Sequence, residues 1–132
     1  MDYDLLVKMA TEAKDNAYAP YSGFRVGAAV LTDNGRIYTG CNVENSSYGA
    51  TICAERTAVV KAVSDGETEI VAVAVAGDSE RYTFPCGICR QVISEFGKDD
   101  TKVICINKNG QYKIYDLKDI IPHAFTGEDL DL

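Results

Sequence analysis

The chain has 132 residues, 46% of them hydrophobic, which is enough for one compact domain with a real core and too little for a second. Twenty acids against thirteen bases give a net charge of −7, a balance that disfavours DNA, RNA and anionic membranes as partners and suits a small neutral substrate. No basic segment followed by an apolar stretch opens the sequence, and no apolar run approaches the length of a membrane span, so the expectation is a cytoplasmic protein.

Residues 4 to 18 space Leu5, Leu6, Met9, Ala13 and Ala17 by three and four, which predicts an amphipathic helix ending near Pro20. From Val26 to Thr32 the pattern is that of a strand; Asp33-Asn34-Gly35 supplies a turn, and residues 36 to 43 return as the second strand of a hairpin. A helix starts near Cys53 and stops at Ser64-Asp65-Gly66. Residues 70 to 76 are nearly all apolar, as in a strand covered on both faces. A loop over 77 to 85 leads into a helix over 86 to 96. Strands over 102 to 107 and 111 to 115 flank Lys108-Asn109-Gly110, a short helix spans 116 to 121, and the chain from Pro122 is a tail. This order predicts an α/β fold, a mixed sheet of about five strands with helices on both faces, in a single domain over residues 1 to 132.

The five cysteines, 41, 53, 86, 89 and 105, are an odd number in a chain without a secretion signal, so a disulfide framework is not expected. Cys53-Ala54-Glu55 opens one predicted helix and Pro85-Cys86-Gly87-Ile88-Cys89 opens another. Two residues between Cys86 and Cys89 let both sulfurs reach one ion from a single turn, with Cys53 as a third ligand from a second element. Helix N-termini favour the thiolate form, because free N–H groups and the positive dipole end face it. Three protein ligands leave the fourth tetrahedral position to water, the arrangement of a catalytic zinc. Three thiolates make that centre electron-rich, and Arg56, one turn beyond Cys53, can offset the charge by donating to the sulfurs. Glu55, two positions from Cys53, can lie beside the water as proton acceptor and donor. The alternative is a closed structural site in which Cys41 or Cys105 supplies a fourth sulfur and Glu55 is a solvated helix residue, as in a zinc-stapled interaction module.

These motifs resemble those of the cytidine deaminases, specifically the small homotetrameric kind with a three-cysteine zinc site. The likeness runs in order along nearly the whole chain, through Pro20-Tyr21-Ser22-Gly23-Phe24-Arg25-Val26-Gly27-Ala28-Ala29, Gly40-Cys41-Asn42-Val43-Glu44-Asn45, Cys86-Gly87-Ile88-Cys89-Arg90-Gln91 and Pro122-His123-Ala124-Phe125. Cys53 stands where the wider zinc deaminase class has His. Phe84 and Ile88 occupy positions where the family more often has small residues.

The resemblance implies a three-layer cytidine-deaminase-like fold and one Zn2+ per subunit on Cys53, Cys86 and Cys89. It implies hydrolytic deamination of cytidine and deoxycytidine to uridine and deoxyuridine with release of ammonia, a step of pyrimidine salvage, with Glu55 as the proton shuttle. It further implies that Asn42 and Glu44 hold the sugar hydroxyls, that Phe24 forms an apolar wall, that the Ala54 N–H meets the base, and that Tyr48 and Phe125 reach a neighbour's pocket in a homotetramer. His123 reads as a surface or packing residue, and Cys41 and Cys105 as buried structural thiols. Rival substrates on the same fold are a blasticidin-type antibiotic or a nucleotide. A phosphate-reading site would need clustered cations, and only Arg25, Arg56 and Arg90 are candidates.

Overall fold

The structure, a computed structural model, describes residues 2 to 130. Five strands form one sheet in the order β2-β1-β3-β4-β5, where β1 is Val26–Thr32, β2 Ile37–Cys41, β3 Ile70–Gly77, β4 Lys102–Ile106 and β5 Tyr112–Asp116. β3 and β4 pair in parallel and the other neighbours pair antiparallel. Parallel pairing requires a crossover, and α3 (Gly87–Phe96) supplies it. α1 (Asp4–Ala13) packs on one face against Ala29, Leu31, Ala74 and Ile104. α2 (Ala54–Ser64), α3 and the short α4 (Leu117–Ile120) share the other face with Val30, Val73, Val103 and Cys105. Alternate residues of one strand thus face opposite helical layers, which is why β3 is apolar along almost its whole length.

The expected element order holds, with shifts at the ends. The first helix stops at Ala13 and a 3-10 turn, Lys14–Asn16, follows it. Its buried face is Leu6, Val7 and Ala10, continued by Lys14, whereas Leu5 is 58% exposed. A sheet-facing stripe centred between residues 6 and 10 leaves position 5 at its edge. β2 ends at Cys41 instead of running to 43, because Val43 bridges to Tyr18 and Ile52 and leaves the sheet. Cys41 is half-buried, not buried as expected, since β2 is an edge strand.

One end of the sheet gathers the pieces that matter below. Val26 at the start of β1 pairs with Gly77 at the end of β3, and Gly27 pairs with Cys41 at the end of β2. The segments before β1, after β2 and after β3 therefore emerge side by side. Gly40 brings α2 to the same place: a methyl group there would stand 2.6 Å from the Ala58 nitrogen and 2.7 Å from the Ala54 oxygen. Only a residue without Cβ lets the first turns of α2 lie this close to β2.

Candidate active site

Cys53 and Cys86 are the N-cap residues of α2 and α3, both with extended backbone, and Cys89 lies in the first turn of α3. The helices thus begin one residue later than the sequence suggests, which places both thiols at the open N-terminal ends where N–H groups lack partners. Among the described residues, Cys53, Cys86 and Cys89 are the group able to hold a metal, their sulfurs all within 4.8 Å of one another. Tetrahedral bonds of about 2.3 Å would put sulfurs about 3.8 Å apart, and the Cys53 and Cys86 sulfurs are 3.9 Å apart. Cys41 and Cys105 lie on strands outside this group, so the closed four-thiolate alternative lacks its fourth sulfur.

The protonation of the cluster favours a cation. Cys53 is pulled down to about 5, first by its hydrogen bond with Cys89 and then by Arg56. Cys89, whose proton serves Cys53 and which is buried besides, is pushed up. A divalent ion that binds such crowded sulfurs displaces their protons to solvent, which lets all three ionise. Arg56 directs Nη2 to the Cys53 sulfur at 3.5 Å, and its Nε is buried without a partner. A fixed positive charge with a spare donor beside three thiols suits an anionic metal centre. Donor set, spacing and compensating charge all fit zinc.

Glu55 sits in the first turn of α2 and is only 4% exposed. Burial pushes its carboxyl up to about 7, and the charge on Cys53 adds to the shift. A carboxyl poised near neutrality can take up and return a proton at little cost.

Cys53, Cys86 and Glu55 form the floor of a cavity of about 360 Å³ that is also lined by Phe24, Val26, Phe84, Asn42 and Glu44; Cys89 and Arg56 lie behind that floor. Ala54 lines the floor as the first residue of α2, a position whose N–H has no partner within the helix. Asn42 is nearly buried; its Oδ1 accepts from the Val26 N–H at 2.9 Å and its Nδ2 donates to the Phe24 carbonyl at 2.9 Å. One amide hydrogen and one lone pair of Asn42 stay free for a ligand. Glu44 Oε1 accepts from the N–H groups of Tyr21 (2.9 Å) and Ser22 (3.1 Å), and Oε2 accepts from the Ser22 hydroxyl. The Ser22 hydroxyl and then its N–H hold the Glu44 carboxyl below its usual range.

Tyr48 and Phe125 are not brought into this cavity. Tyr48 is 78% exposed and meets Tyr21 edge to face at 6.1 Å, beside the cavity mouth. Phe125 is 57% exposed, and its carbonyl accepts from Gln91 Nε2 at 2.8 Å. Sequence reasoning gave no role to Ser22, the brace of Glu44, and weighed Arg90 only as a phosphate-reading candidate, whereas Arg90 donates to the carbonyls of Pro85 and Ile120 at 2.7 Å each. Ser22 lies 22 positions from Glu44, so no local spacing signals the pair.

The family of the cytidine and deoxycytidylate deaminase zinc-binding region matches residues 2 to 106. A cytidine deaminase of Halalkalibacterium halodurans is 47% identical over 131 residues, 99% of each chain. One of Sporosarcina psychrophila is 48% identical over 98% of this chain and 96% of its own. The crystal structure of cytidine deaminase from Burkholderia pseudomallei superposes with a TM-score of 0.90 at 43% identity, covering 95% of this chain and all of the other. With a family match over most of its length, relatives near half identity end to end and the same fold, the chain belongs to the cytidine and deoxycytidylate deaminase family.

Proposed function

We propose that this protein hydrolyses cytidine and deoxycytidine to uridine and deoxyuridine with release of ammonia, as one catalytic domain over residues 1 to 132. The observation that carries the reading is the convergence of three thiols within 4.8 Å, two of them lining the cavity, with buried Glu55 two residues from one of them. Cys53, Cys86 and Cys89 would hold one zinc per subunit, and the ion would supply a water of lowered pKa as nucleophile near neutral pH.

Glu55 does the proton work. Its carboxylate takes a proton from the attacking water and delivers it to N3 of cytosine; it then takes the remaining proton of the hydroxyl now on C4 and gives it to the amine, so that the C–N bond breaks, ammonia leaves and the C4 carbonyl forms, the general acid–base role of the Glu in the zinc deaminase class. A pKa near neutrality is what repeated uptake and release require. Arg56 offsets the charge of the thiolates. The free donor and acceptor of Asn42 and the carboxylate of Glu44 take the sugar hydroxyls, Phe24 lies against the base, and the Ala54 N–H meets its polar edge. Holding the sugar remotely places C4 over the reacting centre, so these contacts raise kcat/KM.

The active assembly is a homotetramer in the cytoplasm. Tyr48 and Phe125, exposed and outside their own subunit's cavity, are in this reading side chains that close a neighbour's site. Free thiols call for a reducing compartment, and no described helix is long and apolar enough to cross a membrane. Incubating the zinc-loaded protein separately with cytidine, deoxycytidine, deoxycytidylate and blasticidin S tests the substrate. Uridine, deoxyuridine and ammonia are expected from the two nucleosides. Turnover confined to the nucleotide or the antibiotic, or none with zinc bound at one per chain, overturns the reading.

A further inference from the structure

Phe24 walls the cavity from a stretch of chain that is neither helix nor strand, so side chains must hold it in place. Its N–H donates to the Ser22 hydroxyl at 3.0 Å and its carbonyl accepts from Asn42. These bonds fix the backbone at Phe24. The ring rests on Gly77, where a methyl group would stand 2.9 Å from the ring and 2.5 Å from Thr83 Oγ1. The next residues on both segments also meet. Asp78 Oδ2 accepts from Arg25 Nε at 2.9 Å and from the Arg25 N–H at 3.3 Å, while Oδ1 accepts from Nη2 at 3.3 Å. Phe24-Arg25 therefore docks on Gly77-Asp78 as a unit, ring on glycine and guanidinium on carboxylate.

Asp78 is itself anchored from behind. Lys14 Nζ lies 3.1 Å from Oδ1, with the lysine side chain 10% exposed and that of Arg25 46% exposed. The lysine arm ties Asp78 to the end of α1, and the arginine arm ties the cavity wall to Asp78. Asp78 does not line the cavity.

We propose that Asp78 is a positioning residue for nucleoside binding, acting through Arg25 to keep the Phe24 ring against the cavity. The inference rests on the nucleoside reading of that cavity. It separates two effects of one carboxylate: the Lys14 contact supports the fold, and the Arg25 contact sets the affinity for the base.

The test uses Arg25→Gln and Asp78→Asn in the zinc-loaded full chain, with cytidine as substrate. KM should rise about 3- to 10-fold in each while kcat stays within about twofold, the signature of lost uniform binding. Zinc content should not change. In a Phe24→Ala background the same substitutions should add nothing, because the group they position is gone. Asp78→Asn leaves buried Lys14 without its full counter-charge. Arg25→Gln, at a half-exposed side chain, keeps the proposal testable if Asp78→Asn does not fold. A KM equal to the parent's in Arg25→Gln, or an undiminished rise on top of Phe24→Ala, overturns it. A parent protein that neither binds nor turns over cytidine is a different result, and condemns the nucleoside reading instead.

Discussion

The floor and the rim of the cavity are built on opposite plans. At the floor, Cys53, Glu55 and Arg56 fall within four consecutive residues, and Cys86 and Cys89 within another four, all held by the first turns of two helices. Glu55 and Cys89 are buried there. At the rim, Tyr21, Ser22, Phe24 and Arg25 lie on irregular chain, and their long-range partners are Glu44, 23 and 22 residues from Tyr21 and Ser22, Asn42, 18 from Phe24, and Asp78, 53 from Arg25. Helical geometry sets the chemistry locally, while recognition depends on long-range side-chain bonds between segments that meet at one end of the sheet. The two ends should therefore fail differently: the floor through kcat and metal, the rim through KM and assembly.

The largest effect is expected at the floor. Glu55→Gln keeps the size and hydrogen-bonding reach of the side chain but cannot take up a proton, and Glu55 is not one of the three sulfur ligands. Zinc stoichiometry should match the parent, whereas turnover should fall by about 10⁴-fold or more, beyond the usual contribution of a single general base because one carboxyl serves several transfers. Zinc analysis beside a cytidine assay decides it: a variant with full zinc and a rate within a few-fold of the parent removes Glu55 as the proton shuttle.

Next in size is the removal of residues 122 to 132. Phe125 stands clear of its own subunit's cavity, so in a self-sufficient subunit its loss would matter little. If the segment instead closes a neighbour's site, water enters and the base loses its fixed pose, with a cost of at least about 10²-fold in kcat/KM. Zinc should remain. Sedimentation and kinetics on parent and truncated chains check both halves, and a fully active monomer of either would contradict shared sites.

Arg56→Gln should cost less, about 10-fold in kcat, with faster loss of zinc to a chelator and an unchanged KM. The substitution removes a charge that faces the Cys53 sulfur at 3.5 Å, and it leaves the rim untouched. Equal zinc retention and equal kcat in the two proteins would dismiss charge balance as the role of this arginine.

The same contrast explains what was legible in the sequence. The ligands and Glu55 could be read because metal coordination from one helical turn imposes a short spacing, and spacing is what a sequence displays. The hairpin, the doubly covered β3 and both helix starts were readable for the same reason: turn residues, apolar runs and helix stops are local. Legibility failed where a distant partner decides. The Leu5 side of α1 turned outward because the sheet selects the face, and Val43 left β2 because it bridges Tyr18 and Ile52. Lys14, a residue that composition assigns to solvent, is buried because Asp78 waits 64 positions downstream. Asp78 lies in no motif, and nothing in the segment that contains Ser22 names its partner; only the folded sheet end brings the two to Arg25 and Glu44.

The smallest effect is expected from Ser22→Ala, and it probes the rim most finely. The hydroxyl joins two elements of the cavity, donating to Glu44 Oε2 and accepting from the Phe24 N–H. Glu44 keeps its two backbone N–H donors from Tyr21 and Ser22 in the variant, so its carboxylate stays in place but turns more freely. Both bonds of the hydroxyl are lost, but they lie at an exposed rim where water can replace them, so the rise in KM should be only about 2- to 10-fold, with kcat and zinc content unchanged because no floor residue is touched. A pH signature accompanies it. In the parent, the Ser22 hydroxyl is the first cause holding the Glu44 carboxyl below its usual range, so Glu44 stays ionised to lower pH. Without the hydroxyl that carboxyl moves up toward the ordinary carboxylate range, and the acid-side rise in KM should begin at higher pH in Ser22→Ala than in the parent. Steady-state kinetics from neutral pH into the acid range measures both. If KM and its acid limb were the same in the two proteins while kcat fell, the rim would be coupled to the chemistry and the division between the two ends of the cavity would not hold.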